Sequence, residues 1–114
     1  MKILFFGDVF GRIGRNGLIK VLPTLKKQWR PDLIIANVDN LAHGKGVTIK
    51  TLQQLMAAGV SCFTSGDHFW SKKEGLKKIV QAKIPVVRPA NFPARMAGAR
   101  YLVFKHKNKK ILLL

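Results

Sequence analysis

Apolar and polar positions alternate between two rhythms along this chain. Ile3-Leu4-Phe5-Phe6 is an uninterrupted apolar run inside Lys2 to Phe6. It reads as a buried strand that stops at Gly7 and feeds a glycine-bearing loop, Gly7-Asp8-Val9-Phe10-Gly11-Arg12-Ile13-Gly14. From Arg15 to Trp29 the apolar residues Leu18, Val21, Leu22, Leu25 and Trp29 recur at helical spacing, and Pro23 is expected to kink that helix or split it. Pro31 marks a restart. Asp32 to Val38, rich in Leu33, Ile34, Ile35 and Ala36, reads as a second buried strand that runs into Asp39-Asn40 and a loop with Gly44 and Gly46. Thr48 is placed to cap a helix whose apolar face is Ile49, Leu52, Leu55 and Met56, and Gly59 suits the position just past its end.

Val60 to Thr64 forms a third strand candidate, ending at Ser65-Gly66-Asp67-His68. Ser71-Lys72-Lys73-Glu74 has the spacing of a capping box opening a helix to about Ala82. Pro85 to Arg88 is a short fourth strand and Pro89 to Gly98 a proline-bearing loop. Arg100 to Phe104 with Lys110 to Leu114 reads as a hairpin turning near Asn108. Three strand-loop-helix units in succession imply an α/β fold of mostly parallel strands with right-handed connections and a C-terminal hairpin.

The ends of the first three strands carry the chemistry. In open α/β sheets ligands bind outside the carboxyl ends of the strands, where Asp8, Asp39, Asn40, Asp67 and His68 fall. Each interval between the three aspartates is about one strand-helix-strand pass, so if the strands are neighbours the carboxylates converge. Left alone they would repel one another, so the cluster makes sense chiefly as a cage for divalent cations. Oxygen ligands joined by an imidazole suit Mn, Fe, Mg or Zn. A purely structural reading exists for each residue: Asp8 and Asp67 follow glycines and could make turn or cap hydrogen bonds, Asp39-Asn40 could be a turn pair, and Trp70 could simply pack. The functional reading rests on three coincidences at equivalent positions.

Composition narrows the setting. The 114 residues carry 21 Lys plus Arg against 5 Asp plus Glu, a formal charge of +16. That length is room for one domain, and 47% apolar content can supply a core, which excludes a disordered chain. No apolar run approaches the roughly 18 residues of a membrane span, and no signal-peptide pattern follows Phe6, so a cytoplasmic setting is expected, with no membrane partner. The lone Cys62 sits in an apolar stretch and is expected to be a buried, reduced thiol. The basic excess, steepest after Glu74, would attract phosphates of any kind, RNA included, without choosing among them.

Four blocks also resemble, in order and spacing, the N-terminal part of the YmdB-type branch of calcineurin-like metallophosphoesterases. They are Gly7-Asp8-Val9-Phe10-Gly11-Arg12, Asn37-Val38-Asp39-Asn40, Gly66-Asp67-His68-Phe69-Trp70 and Arg88-Pro89-Ala90-Asn91-Phe92-Pro93. The resemblance implies part of a metallophosphoesterase sandwich and a phosphodiesterase acting on 2′,3′ or 3′,5′ cyclic nucleotides. It implies two divalent metal ions, Fe or Mn first and Mg or Zn next. Asp8 would hold one metal, Asp39 would bridge both, Asn40 and Asp67 would bind the second, and His68 would donate a proton. Arg12, Lys45 and Arg88 are expected as phosphate contacts.

The family pattern has Glu at the position of Asp39 and Asn at that of Asp67, and it places further ligands, a His and a His-x-His pair, in the second half of its domain. Here the other histidines, His43 and His106, match neither motif. Residues 1–114 are therefore expected to be the N-terminal part of a single truncated domain, binding metal weakly and turning over slowly or not at all. The apolar Ile111-Leu112-Leu113-Leu114 is expected to leave a sticky edge unless it pairs internally or with another copy. Two rivals are a nucleotide-cofactor-binding Rossmann-like domain, whose glycine spacing is wrong here, and a basic, non-enzymatic RNA-binding module, which lacks an RNP-like motif.

Overall fold

The computed structural model describes residues 1–114, apart from the side chain of Glu74. The element order is β1 (Ile3–Asp8), α1 (Gly11–Trp29), β2 (Leu33–Asn37), α2 (Ile49–Ala58), β3 (Cys62–Thr64), a 3-10 turn (Asp67–Ser71), α3 (Lys73–Gln81), β4 (Val86–Val87), β5 (Leu102–His106) and β6 (Lys109–Leu113). The first four strands form one parallel sheet in the order β1-β2-β3-β4, and β5 and β6 pair as a separate antiparallel hairpin. The expected α/β class, mostly parallel strands and terminal hairpin are all present.

Strand alternation sends side chains to two faces. Ile34, Ala36, Phe63 and Val86 point to the helical side and pack with Leu18 and Leu22 of α1, Leu52 and Leu55 of α2, and Leu76 and Ile79 of α3. Leu33, Ile35 and Cys62 point the other way, against Leu102, Phe104, Ile111 and Leu113 of the hairpin. The sheet is thus sandwiched between helices and hairpin. The C-terminal strand that looked sticky pairs internally with β5. Because each strand adds to the same side of the last, the sheet has no reversal of strand order, which is where a Rossmann-like domain places its dinucleotide.

Several local expectations needed correction. The first helix begins at Gly11, not Arg15, so the second half of the anticipated glycine loop is helical. Pro23 does not split it: Pro23 is exposed, and Ile19, whose carbonyl loses its partner, is exposed too, so water can satisfy that oxygen. Thr48 caps α2 as expected, in a reciprocal capping box with Thr51, and Gly59 closes that helix in the left-handed region at φ 107°. Ser71 does not cap α3; it ends the 3-10 turn, and Lys72 occupies the cap position without a side-chain bond. The Glu74 half of that expected box lies outside the described residues. The hairpin turns through Lys107 and Asn108, as the pattern predicted.

Candidate metal centre

The parallel register brings three strand ends side by side. Beyond the strands the ladder continues through Val9 N–H to Asn37 O, Val38 N–H to Thr64 O and Ser65 N–H to Val87 O, so the loops after β1, β2 and β3 leave the sheet together. Asp8 ends β1 just past an irregularity between Phe6 and Asp8. Asp39 and Asn40 follow β2 after the buried Val38. Asp67 and His68 open the 3-10 turn after β3.

Asp39, Asp67 and His68 each present a donor atom, and the three atoms lie within 4.8 Å of one another. Asp39 is the buried member of the trio and Asp67 the most exposed. Two backbone contacts hold Asp39: its N–H donates to Asn37 Oδ1 at 3.2 Å, and its carbonyl accepts from Gly46 N–H at 2.6 Å. Gly66 N–H donates to Asp39 Oδ1 at 2.7 Å. A Cβ at Gly66 would stand 2.7 Å from Asp39 Oδ2, so only glycine leaves the carboxylate its seat. Asn37 and Gly66 lie within the matching blocks but carry no chemistry of their own, and only the folded contacts reveal what they do.

Asn40 links the remaining members. Its Nδ2 donates to Asp8 Oδ2 at 2.7 Å, and its Oδ1 lies 2.7 Å from His68 Nδ1. An amide oxygen can only accept, so His68 carries hydrogen on Nδ1, and Nε2 is left toward Asp67 Oδ2, 3.9 Å away. His68 Nδ1 is also 3.4 Å from Asp39 Oδ2. Hard carboxylate oxygens and one imidazole, with the central carboxylate seated by a close-packed glycine, fit a divalent cation. Asp8 lies outside the 4.8 Å group and reaches it through Asn40.

A chain with these acids at these strand ends can be compared with known proteins. The sequence pattern of the YmdB-like proteins matches residues 4–114. The chain belongs to the YmdB-like family. It is similar to the 2′,3′-cyclic-nucleotide 2′-phosphodiesterase of Bacillus subtilis, with 38% identity over 114 residues, covering 100% of this chain and 43% of that protein. Two crystal structures share the YmdB-like fold of this chain. One is described as a novel phosphatase from Mycoplasma pneumoniae, with TM-score 0.90, 38% identity, and 98% of this chain and 41% of that one covered. The other is a hypothetical protein from Thermus thermophilus, with TM-score 0.88, 32% identity, and 98% and 43% covered. The chain thus spans about two fifths of the length of the relatives it matches.

The basic residues expected at the substrate fare differently. Arg12 lies exposed in the first turn of α1, and Lys45 is exposed on the loop after Asn40, where both are open to solvent. Arg88 is 1% exposed, and its Nη1 donates to the carbonyls of Pro89 and Phe92. A guanidinium turned onto its own loop and shielded from solvent braces that loop. That loop also receives Trp70, whose Nε1 donates to Ala97 O at 3.0 Å while its ring packs against Phe69 and Phe92. Trp70 packs, as its structural reading held. His43 is exposed in a left-handed turn and His106 pairs with Asp32 at 3.0 Å, so neither takes the place of the family's later histidines.

Cys62 is fully buried, and burial pushes its thiol up to about 11, which fits an inert thiol in the second core. No helix is long and apolar enough to cross a membrane.

Proposed function

We propose that the carboxyl edge of the sheet holds divalent cations and hydrolyses phosphodiesters, with 2′,3′ or 3′,5′ cyclic nucleotides as the substrate class. The observation that carries this reading is the convergence of Asp39, Asp67 and His68 donor atoms within 4.8 Å at adjacent strand ends. Membership of the YmdB-like family and the activity named for the Bacillus relative support it. Asp39 and Asp67 would hold one cation, Asp8 and Asn40 would extend the donor set toward a second, and Fe or Mn suits that oxygen set beside an imidazole left free for the proton, with Mg or Zn next. Cations held there supply Lewis acidity toward a phosphoryl oxygen and acidify water.

The chain's own residues supply positioning and the proton. Asn40 orients His68 by accepting from Nδ1–H and is itself oriented by Asp8. Nε2 is then the atom that can hold a proton for the leaving oxygen. Asn40 Oδ1 has two lone pairs, so it can accept from His68 and still face a cation. Without the family's later His and His-x-His ligands, residues 1–114 bind metal weakly and turn over slowly.

Mn²⁺ titration and hydrolysis of a 2′,3′-cyclic mononucleotide test the reading together. Asp39→Ala abolishes metal binding, whereas His68→Ala lowers the rate by roughly 10²–10⁴-fold with a smaller effect on affinity. Mn²⁺ binding that survives Asp39→Ala unchanged would refute the site.

A further inference from the structure

Lysines line one path out of the metal centre. Lys45 is exposed on the loop after Asn40, and Lys72 and Lys73 are exposed where the 3-10 turn bearing Asp67 and His68 runs into α3. These two segments touch. A Cβ at Gly46 would stand 2.8 Å from His68 O and 3.4 Å from Lys72 Cγ, so the stem of Lys72 lies against the loop that carries Lys45. From there a groove of about 450 Å³ continues between Thr48, Ser71, Lys72 and Lys73. Few acids oppose these cations. Asp8, Asp39 and Asp67 are gathered at the metal centre, and Asp32 is held at the far end of β2 by Lys2 N–H and His106. Glu74 is the one acid in the sequence after His68, so Lys45, Lys72 and Lys73 keep a net positive charge.

An aromatic ring meets the same loop. Phe10 is 61% exposed two residues beyond Asp8, and a Cβ at Gly44 would stand 2.7 Å from its Cζ. The next residue, Gly11, donates its N–H to Asn40 O at 2.9 Å, which ties the backbone beneath the ring to the donor loop. A cationic groove beside an open aromatic face is the arrangement that holds single-stranded nucleic acid, whose phosphates follow the cations while a base stacks on the ring. A free cyclic mononucleotide brings one phosphate. It has no second phosphate to set on lysines that lead away from the metal centre.

We propose that the substrate is the 3′ end of a single RNA strand closed as a 2′,3′-cyclic phosphate, with its upstream phosphates laid along Lys45, Lys72 and Lys73. This rests on the phosphodiesterase reading and narrows its substrate class. A 3′,5′ ring consumes the 5′ oxygen through which a strand would continue, so such a ring belongs to mononucleotides. A 2′,3′ ring leaves that oxygen free for the chain. Such ends form when a strand's own 2′-hydroxyl attacks the neighbouring phosphate, and only ribose supplies that hydroxyl. In the hydrolysis, the oxygen of water bonds to phosphorus and the bond from phosphorus to one ribose oxygen breaks. That oxygen takes the proton held at His68 Nε2, and the proton released by water replaces it. The strand keeps its length and ends in a phosphomonoester.

Two substrates compared in Mn²⁺ test it: an RNA of about five nucleotides ending in a 2′,3′-cyclic phosphate, and a 2′,3′-cyclic mononucleotide. At about 50 mM salt, kcat/KM for the RNA should exceed that for the mononucleotide by about 10-fold or more. Lys72→Gln combined with Lys73→Gln should remove that advantage through KM, not kcat. Lys105→Gln combined with Lys110→Gln, an equal loss of charge from exposed positions paired on the hairpin, should preserve it. Fluorescence anisotropy of the labelled RNA without Mn²⁺ gives a second readout. Three phosphate contacts imply binding about 20-fold weaker at about 200 mM salt than at about 50 mM, and the Lys72 and Lys73 double variant should reduce that loss to about threefold. Equal kcat/KM for the two substrates, or equal effects of the two double variants, would overturn the strand assignment and leave the phosphodiesterase reading standing. Hydrolysis of neither substrate would overturn both.

Discussion

Gly66→Ala probes the site more finely than removing a ligand. Gly66 N–H donates to Asp39 Oδ1 at 2.7 Å, while a new Cβ would stand 2.7 Å from Oδ2, 2.8 Å from Cγ and 3.2 Å from Oδ1. Asp39 cannot slide away as a whole, because its N–H and carbonyl are bonded to Asn37 and Gly46. Its carboxylate must instead rotate by roughly 0.5–1 Å to restore ordinary contact. That movement breaks a hydrogen bond to a charged acceptor, of the class that contributes about 1.5–3 kcal/mol. It also misplaces the central donor. Loss of a group that orients a ligand typically weakens metal binding by about 10–100-fold, and that is the expected fall in Mn²⁺ affinity. Free Mn²⁺ measured by electron paramagnetic resonance gives the affinity, and a thermal melt gives the stability. Affinity within about twofold of the parent, with an unchanged melt, would mean that Asp39 does not depend on this cradle and the reasoning fails.

Three further expectations concern positions away from the metal ligands. Gly75→Ala in α3 and Gly17→Ala in α1 meet nothing within 4 Å of the new Cβ and should each stabilise the chain by about 0.5–1 kcal/mol in denaturant melts, without changing metal affinity. Arg88→Ala should destabilise the fold by about 2–4 kcal/mol, through lost packing and carbonyls left without donors, yet leave Mn²⁺ affinity unchanged; a selective loss of phosphate binding would restore it as a substrate contact. Cys62 has its folded pKa raised from 9.0 to about 11 by burial, so the unfolded chain loses that proton first. Its contribution to stability is complete below pH 9 and is lost as pH climbs toward 11, and Cys62→Ala should flatten that part of the stability profile. A thiol reagent at about pH 8, below the thiol's unfolded pKa, should label Cys62 only in denaturant.

Much of the architecture is legible in residues near one another along the chain. The apolar runs at Ile3-Leu4-Phe5-Phe6 and Leu33-Ile34-Ile35-Ala36 announce strands, and Leu52 and Leu55 with the Thr48 and Gly59 ends announce α2, because side-chain period and capping act over a few residues. Boundaries were less legible. Gly11 begins α1 while its N–H bonds to Asn40 O, a partner supplied by another strand end, so nothing local marks that start.

The same division holds at the site. The chain alone determined that Asp8, Asp39, Asn40, Asp67 and His68 sit at strand ends, since they follow three apolar runs of strand length within a few residues. Only the tertiary structure decided that β1, β2 and β3 are neighbours, that Asn40 joins Asp8 to His68, that Gly66 cradles Asp39 and that Arg88 turns inward. Periodicity is written by neighbours in sequence. Strand order and side-chain contact across dozens of residues are settled by which apolar faces can be buried together, and a buried guanidinium or a missing Cβ declares its purpose only once the partner against which it packs is in place.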